Sequence, residues 1–248
     1  MIFRSIYTFV AYYLTLLFFG VFGLALSFMA LMAGLLPTSE ATERVYQRLI
    51  HGNFALFVWW LRFSRLCPVR YSGLEGLVRG GSVLAANHPG LTDITFLLAV
   101  VPEALCIFKP AIRRNPVLGA AARRAGYLSS DGGHDLVRDA ATKVAAGHTL
   151  VIFPEGTRTP PGTGLLPLKP GFVLMAQRAG VPIQLVRIVY SAPILGKGMA
   201  WWKPPPVGPY VEVTVGPRVP VPADADAAAI ILEIEAWFRS AVSRSAAS

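Results

Sequence analysis

The run from residue 5 to residue 37, SIYTFVAYYLTLLFFGVFGLALSFMALMAGLLP, carries no charged side chain, and it limits the possible folds more than any other feature. A helix that crosses a membrane needs about 20 apolar residues. As one straight helix, residues 5–36 would reach about 48 Å at 1.5 Å per residue. That exceeds a hydrocarbon core of roughly 30 Å, so the segment must tilt, bend or lie partly in the interface. Gly20 and Gly23 are the expected bend points. A secretory signal has an apolar region of about 7–15 residues behind a basic start. This run is far longer and has only Arg4 before it. A membrane helix is therefore expected.

Pro37-Thr38-Ser39-Glu40 reads as a turn in which Thr38 or Ser39 caps a second helix. That helix carries Val45, Leu49, Leu56, Val58, Trp59, Trp60, Leu61 and Phe63. Its charge-free centre, 49–61, is too short to span. Arg44, Arg48, Arg62 and Arg65 can snorkel to head groups, and Trp59 and Trp60 suit an interface. Residues 1–66 are thus expected to form a membrane-embedded helical hairpin, with a soluble helical pair packed on the next domain as the rival. Composition agrees with the membrane. The net charge is +9 and charged residues make up 15% of the chain, against about 25% in soluble domains. The 209 residues after Ser39 still hold 22 basic and only 14 acidic side chains. Disorder is excluded by this oiliness. An anionic lipid surface suits the chain better than nucleic acid does. Cys67 and Cys106 stand far apart and form no CxxC pair, so a disulfide scaffold and a zinc ribbon are unsupported.

From residue 67 onward, short apolar runs alternate with helix-like segments. Strands are expected at 69–72, 82–86, 105–108, 126–128, 149–153, 183–190 and 211–215. Helices are expected at 93–101, 116–125, 135–146, 171–179 and 223–242. The last carries Ile230, Ile231, Ile234, Trp237 and Phe238 near one stripe. Such alternation indicates an α/β domain over 67–248. Residues 203–209, KPPPVGP, read as a stiff loop, and Trp201-Trp202-Lys203 before it as an interfacial anchor or a packed loop.

Two strings end strands. Asn87-His88-Pro89-Gly90-Leu91-Thr92-Asp93 follows the strand 82–86. On a helix His88 and Asp93 would be about 140° apart and would not meet. Pro89-Gly90 makes a turn instead, and Asp93 starts the next helix, where a carboxylate is welcome. Folded back on His88, Asp93 would orient it as a base at a strand end. The alternative is an ordinary βα loop with a capping Asp and a surface His. No GxSxG elbow is present, so His88 is expected to activate a substrate hydroxyl rather than an enzyme serine. The second string, Phe153-Pro154-Glu155-Gly156-Thr157-Arg158, follows the strand TLVIF. Gly156 allows close approach of a ligand. Arg158 offers a fork for phosphate or carboxylate. Glu155 is placed either to orient Arg158 or to bind a polyol hydroxyl, and the alternative is a turn with a local Glu–Arg pair.

In order, these strings resemble the first and third blocks of the glycerolipid (lysophospholipid) acyltransferases, the group that contains 1-acyl-glycerol-3-phosphate acyltransferase. Lys109, Asn115-Pro116, Gly119, Gly126 and Asp131 resemble the second block. Lys169-Pro170-Gly171 resembles the Lys-x-Gly after the third, and Val181-Pro182-Ile183 the fourth. The resemblance runs from about residue 69 to 192, half the chain. It implies an α/β fold with a mixed sheet flanked by helices. It implies His88 and Asp93 as catalytic base and orienting acid, and Glu155, Gly156, Thr157, Arg158 and Lys109 as substrate-binding residues. It further implies no metal or cofactor, with acyl-CoA or acyl carrier protein as co-substrate. The expected reaction is acyl transfer to a lysolipid hydroxyl, first of all that of 1-acyl-glycerol-3-phosphate. The expected place is the cytoplasmic face of a bacterial inner membrane, with membrane lipids as partners and no nucleic acid.

Two departures qualify this. The second block commonly ends Asp-Arg, and here Gly132 follows Asp131. That Arg helps the family hold the acceptor phosphate, so Lys109, Arg123 or Arg124 would have to substitute. A different acceptor, such as a lyso-amino-lipid or the hydroxyl of a specialised lipid or pigment, is the first alternative. A non-catalytic lipid- or thioester-binding protein and a thioester hydrolase are the others. The first block also has Pro89-Gly90 where Gln-Ser is frequent. Of the remaining histidines, His51 reads as structural, and His134 and His148 as surface residues. No HExxH, Walker A or GxGxxG string is present.

Overall fold

The computed structural model describes residues 2–35, 38–78, 80–205 and 208–245. Pro37 of the expected turn and residues 206 and 207 of the expected loop lie outside the described residues. Helix α1 (Ile2–Met32) runs without interruption through Gly20 and Gly23, and a short 3-10 turn, Ala33–Leu35, follows it. Gly23 serves packing. A Cβ there would lie 2.3 Å from Val117 Cγ1, so its absence lets the helix close on residues beyond 116. Ser27 donates to the Val117 carbonyl at 2.8 Å in the same contact. Helix α2 (Glu40–Phe63) begins at Ser39, whose hydroxyl accepts from the Thr42 N–H, with Glu40 and Glu43 in its first turn. Both features favour a helix start.

Among the described residues α1 is the one helix long and apolar enough to cross a membrane, and only 22% of its most apolar stretch is buried. Its outer face exposes Phe3, Leu17, Phe28 and Met32. Its inner face, with Ala11, Tyr12 and Ala30, joins Tyr46, Phe54, Phe57 and Leu61 of α2 in one cluster with Leu84, Phe96 and Ala120 of the body. Each such large apolar side chain contributes roughly 1.5–3 kcal/mol when fully buried. Residues 1–66 therefore share a core with the α/β part rather than folding apart from it. Arg124 fastens the joint. It is buried, donates to the Ala33 carbonyl at 2.6 Å, and sits 5.8 Å from the Tyr46 ring.

The body is a seven-stranded sheet. The strands are β1 (Val69–Ser72), β2 (Ser82–Ala86), β3 (Ala104–Phe108), β4 (Leu128–Ser129), β5 (Thr149–Ile152), β6 (Ile183–Tyr190) and β7 (Val211–Val219), in the order β1-β7-β6-β2-β5-β3-β4. Strands β6, β2, β5, β3 and β4 are parallel, while β7 runs antiparallel to β6 and parallel to β1, so the sheet is mixed. The helices are α3 (Asp93–Leu98), α4 (Gly119–Arg124), α5 (Gly133–Ala145), α6 (Gly171–Ala179) and α7 (Ala227–Ser245). Strand β2 is buried on both faces, as a central parallel strand must be. Leu84 and Ala86 face the cluster shared with α1 and α2. Val83 and Ala85 face Val144 of α5, Phe172 of α6 and the Ile230–Ile234–Phe238 stripe of α7.

Several boundaries differ from expectation for local reasons. Helix α4 is regular from 119 rather than 116; a turn capped by the Asn115 side chain, which accepts from the N–H groups of Val117 and Leu118 at 2.8 and 3.1 Å, leads into it. Strand β4 is shifted to 128–129, and a 3-10 turn occupies Pro110–Arg114. Helix α7 starts at 227, after Asp226, whose carboxylate accepts from the Ala228 N–H at 2.9 Å. His148 is not on the surface. It is buried beneath α2, with Nε2 3.7 Å from Glu40, and burial lowers its pKa.

Candidate active site

The parallel strands all end at one edge of the sheet, where ligand sites of α/β folds collect. The order β6-β2-β5 sets three chain segments side by side there: Tyr190, the 87–93 turn and the 153–158 turn. Asn87 continues the pairing past the end of β2. Its side chain donates to the Ile188 carbonyl at 2.8 Å and accepts from the Ile188 N–H at 2.7 Å. This fixes where the next residue, His88, emerges.

His88 Nδ1 lies 2.8 Å from Asp93 Oδ2, so the turn folds the carboxylate onto the imidazole as expected. A carboxylate only accepts, so Nδ1 carries the proton and Nε2 of the neutral ring keeps its lone pair. The imidazole stacks on Phe153, with centroids 4.0 Å apart and planes 14° from parallel. Asp93 is 0% exposed. Oδ2 also accepts from the Gly90 N–H at 2.8 Å, and Oδ1 accepts from the Tyr190 hydroxyl at 2.5 Å. Burial pushes the Asp93 carboxyl above the ordinary aspartate value, while the bonds from His88, Tyr190 and Gly90 oppose it. Burial, followed by the Asp93 charge, pushes the Tyr190 phenol up, so it stays a proton donor.

Glu155 occupies a different position from the one expected. It is 3% exposed. Oε1 accepts from the His88 N–H at 2.9 Å, and Oε2 from the Thr159 hydroxyl at 2.7 Å and the Leu166 N–H at 3.1 Å. The Thr159 N–H in turn donates to the His88 carbonyl at 2.8 Å. The carboxylate thus binds the second turn to the first. It does not orient Arg158, whose Nη1 donates to the carbonyls of Leu195 and Gly196 at 3.0 and 3.2 Å.

Gly156 adopts φ +67°, and a Cβ there would lie 2.7 Å from Lys169 Nζ. Lys169 thus lies against an exposed glycine backbone, and Arg158 follows two residues later in the same turn. Thr157 is half-exposed beside them. Lys109 lies two strands from His88, after β3, on the same sheet edge. Of the substitutes expected for an Arg at 132, Arg124 is consumed in the joint to the N-terminal helices. Arg123 donates to the Arg113 carbonyl at 2.6 Å and lines, with Arg113, Arg114 and Asp131, an open cleft of about 650 Å³.

The 193–203 segment connects this edge to α1. The Leu91 N–H donates to the Leu195 carbonyl at 3.1 Å. The Tyr13 hydroxyl donates to the Trp202 carbonyl at 2.9 Å, and Tyr12 to that of Trp201. Both Trp rings are exposed.

A sequence model of the family described as Acyltransferase matches residues 68–189. A lyso-ornithine lipid O-acyltransferase of Rhodobacter capsulatus is 30% identical over 72% of this chain and 69% of that protein. The chain belongs to the glycerolipid acyltransferase family. Two further relatives share less of their length with it in sequence. A 1-acyl-sn-glycerol-3-phosphate acyltransferase of Helicobacter pylori is 30% identical over 53% of this chain and 58% of that protein. A lyso-ornithine lipid O-acyltransferase of Pseudomonas aeruginosa is 33% identical over 68% of this chain and 63% of that protein. The chain thus spans less than two thirds of the length of these two relatives. The crystal structure of the 1-acyl-sn-glycerophosphate acyltransferase PlsC from Thermotoga maritima superposes with a TM-score of 0.76 at 23% identity, over 100% of this chain and 98% of that one. The family fold therefore includes the N-terminal helices. Tyr190 stands one residue past the matched family segment, and no motif in the sequence pointed to it.

Proposed function

We propose that this chain is a membrane-associated O-acyltransferase that moves a fatty acyl group from an acyl thioester to a lysolipid hydroxyl. The observation that carries the proposal is the His88–Asp93 pair: a fully buried carboxylate on Nδ1 of a partly exposed imidazole at the end of β2. His88 Nε2 takes the hydroxyl proton as the oxygen attacks the thioester carbonyl. Asp93 stabilises the imidazolium. The adduct collapses, the C–S bond breaks, and the thiolate takes the proton back from His88. No acyl-enzyme is formed on cysteine, since Cys67 and Cys106 are buried and burial raises both thiols, Cys67 to about 12. Arg158 and Lys169 supply positive charge for an acidic acceptor, with Gly156, Thr157 and Lys109 lining its path. Glu155 acts by holding the loop. No metal or cofactor takes part in this scheme, and the donor is acyl-CoA or acyl carrier protein.

The first acceptor is 1-acyl-glycerol-3-phosphate, which suits the two cations. Gly132 in place of the Arg favours a second acceptor, a lyso-amino-lipid, and two of the relatives above are named for lyso-ornithine lipid. On this reading the domain sits on the cytoplasmic face of a bacterial inner membrane, where lysolipid enters from the bilayer and the thiol leaves to water; the exposed apolar face of α1 and the exposed Trp201 and Trp202 support contact with a membrane. The test is mass spectrometry of lipids after incubating purified protein with acyl-CoA or acyl carrier protein and a panel of lysolipids. Acylated lipid from the wild type and none from His88→Ala is expected. Free fatty acid without acylated lipid would make the protein a hydrolase. An absence of thiol release would make it a binding protein.

A further inference from the structure

We propose that Tyr190 is a positioning residue for the His88–Asp93 pair, and that its phenol does from β6 what a serine hydroxyl at position 90 would do from within the turn. This rests on His88 being the base. The evidence is a mutual exclusion. A Cβ built at Gly90 would fall 2.3 Å from the Tyr190 oxygen, 2.6 Å from Cζ and 3.0 Å from Asp93 Oδ1. A side chain at 90 and the phenol therefore compete for one space, and that space borders Oδ1. The turn leaves it empty of side chain, and the phenol fills it with an O–H donor at 2.5 Å. The Thr92 hydroxyl, 3.3 Å from the phenol oxygen, completes the Tyr190 contacts. Gly90 is thus complementary to Tyr190.

The consequence for the pair follows from charge. Asp93 has no solvent, so its three donors fix its orientation and share its negative charge. Without the phenol, Oδ1 is a buried acceptor with no donor. The carboxylate keeps its bonds to Nδ1 and to the Gly90 N–H but is held less firmly, and its charge is less dispersed. The Asp93–His88 pair binds a proton more tightly, and the imidazole is protonated, and inactive as a base, up to a higher pH. The other groups facing the pair are Phe153, which is neutral, and Glu155, which is held on the His88 N–H, so neither offsets the change.

The test uses the full chain in detergent or nanodiscs. For Tyr190→Phe, kcat is expected to fall about tenfold, with both Michaelis constants unchanged, as one lost donor to a buried carboxylate implies. The acid limb of the pH–rate profile and the His88 NMR titration should both move up by about half a pH unit. Unchanged kcat and an unmoved titration would overturn the proposal. If Tyr190→Phe misfolds, the pair Tyr190→Val and Gly90→Ser/Tyr190→Val decides. Recovery of the His88 titration by the added serine supports the proposal, and a double variant no better than the single, though folded, overturns it. The titration needs no substrate. Wild-type protein that transfers no acyl group yet shows the shift would refute the acyltransferase reading alone.

Discussion

Glu155→Ala separates two roles that one residue can play in such a turn. In the structure its carboxylate holds three donors, two of them backbone N–H groups. Each buried donor left without a partner costs about 1–3 kcal/mol. Two orphaned N–H groups and a reorienting Thr159 hydroxyl together cost about 3–5 kcal/mol after local relaxation. For a chain of this size each kcal/mol lowers Tm by about 2–4 °C, so Glu155→Ala should melt about 6–20 °C early. Glu155→Gln keeps one acceptor oxygen and should lose about a third of that. The assay is thermal unfolding in detergent, paired with steady-state kinetics on the surviving folded protein. The loss of activity should appear in kcat, because the His88 N–H and carbonyl are both anchored to this turn. An unchanged Tm with a many-fold higher acceptor KM would refute the reasoning and make Glu155 a head-group ligand.

Two further outcomes are expected. Arg158→Ala should raise the acceptor KM more than the donor KM in initial-rate kinetics, and the reverse pattern would assign the guanidinium to the thioester. Asp93→Asn should cut kcat by about a hundredfold or more, since the amide no longer stabilises the imidazolium. Its stability should move the other way. The Asp93 carboxyl is raised on folding, so its contribution is full below the unfolded pKa and is lost as pH rises through the folded one. Above that window the folded protein holds a desolvated charge that Asn lacks. The variant should therefore melt at or above the wild type at neutral pH, with the gap closing toward about pH 4. A variant that melts lower at neutral pH would contradict this.

The His88–Asp93 pair was legible because five residues and a Pro-Gly turn settle it locally. The strand ends were legible because apolar runs stop abruptly at 86 and 153. Tyr190 was not, since only the parallel pairing of β2 with β6 brings it across about a hundred residues of chain. Glu155 was placed correctly but misread, because its donors at His88 and Leu166 belong to other turns. His148 and Arg124 were misread for the same reason: each is covered by the N-terminal helices, and no local pattern shows what lies above a residue. The packing role of Gly23 was not legible because its partner, Val117, is invisible from its own helix.

The core that α1 and α2 share with the sheet also sets how this protein can be handled. Trimming residues 1–38 to obtain a water-soluble catalytic fragment would uncover Tyr46, Phe54 and Phe57, strip Arg124 of its carbonyl partner at Ala33, and cut the ties of Tyr12 and Tyr13 to the Trp201-Trp202 loop. What looks like a detachable anchor is part of the fold's interior. Purification, crystallisation and screening all have to carry the N-terminal helices along with the sheet.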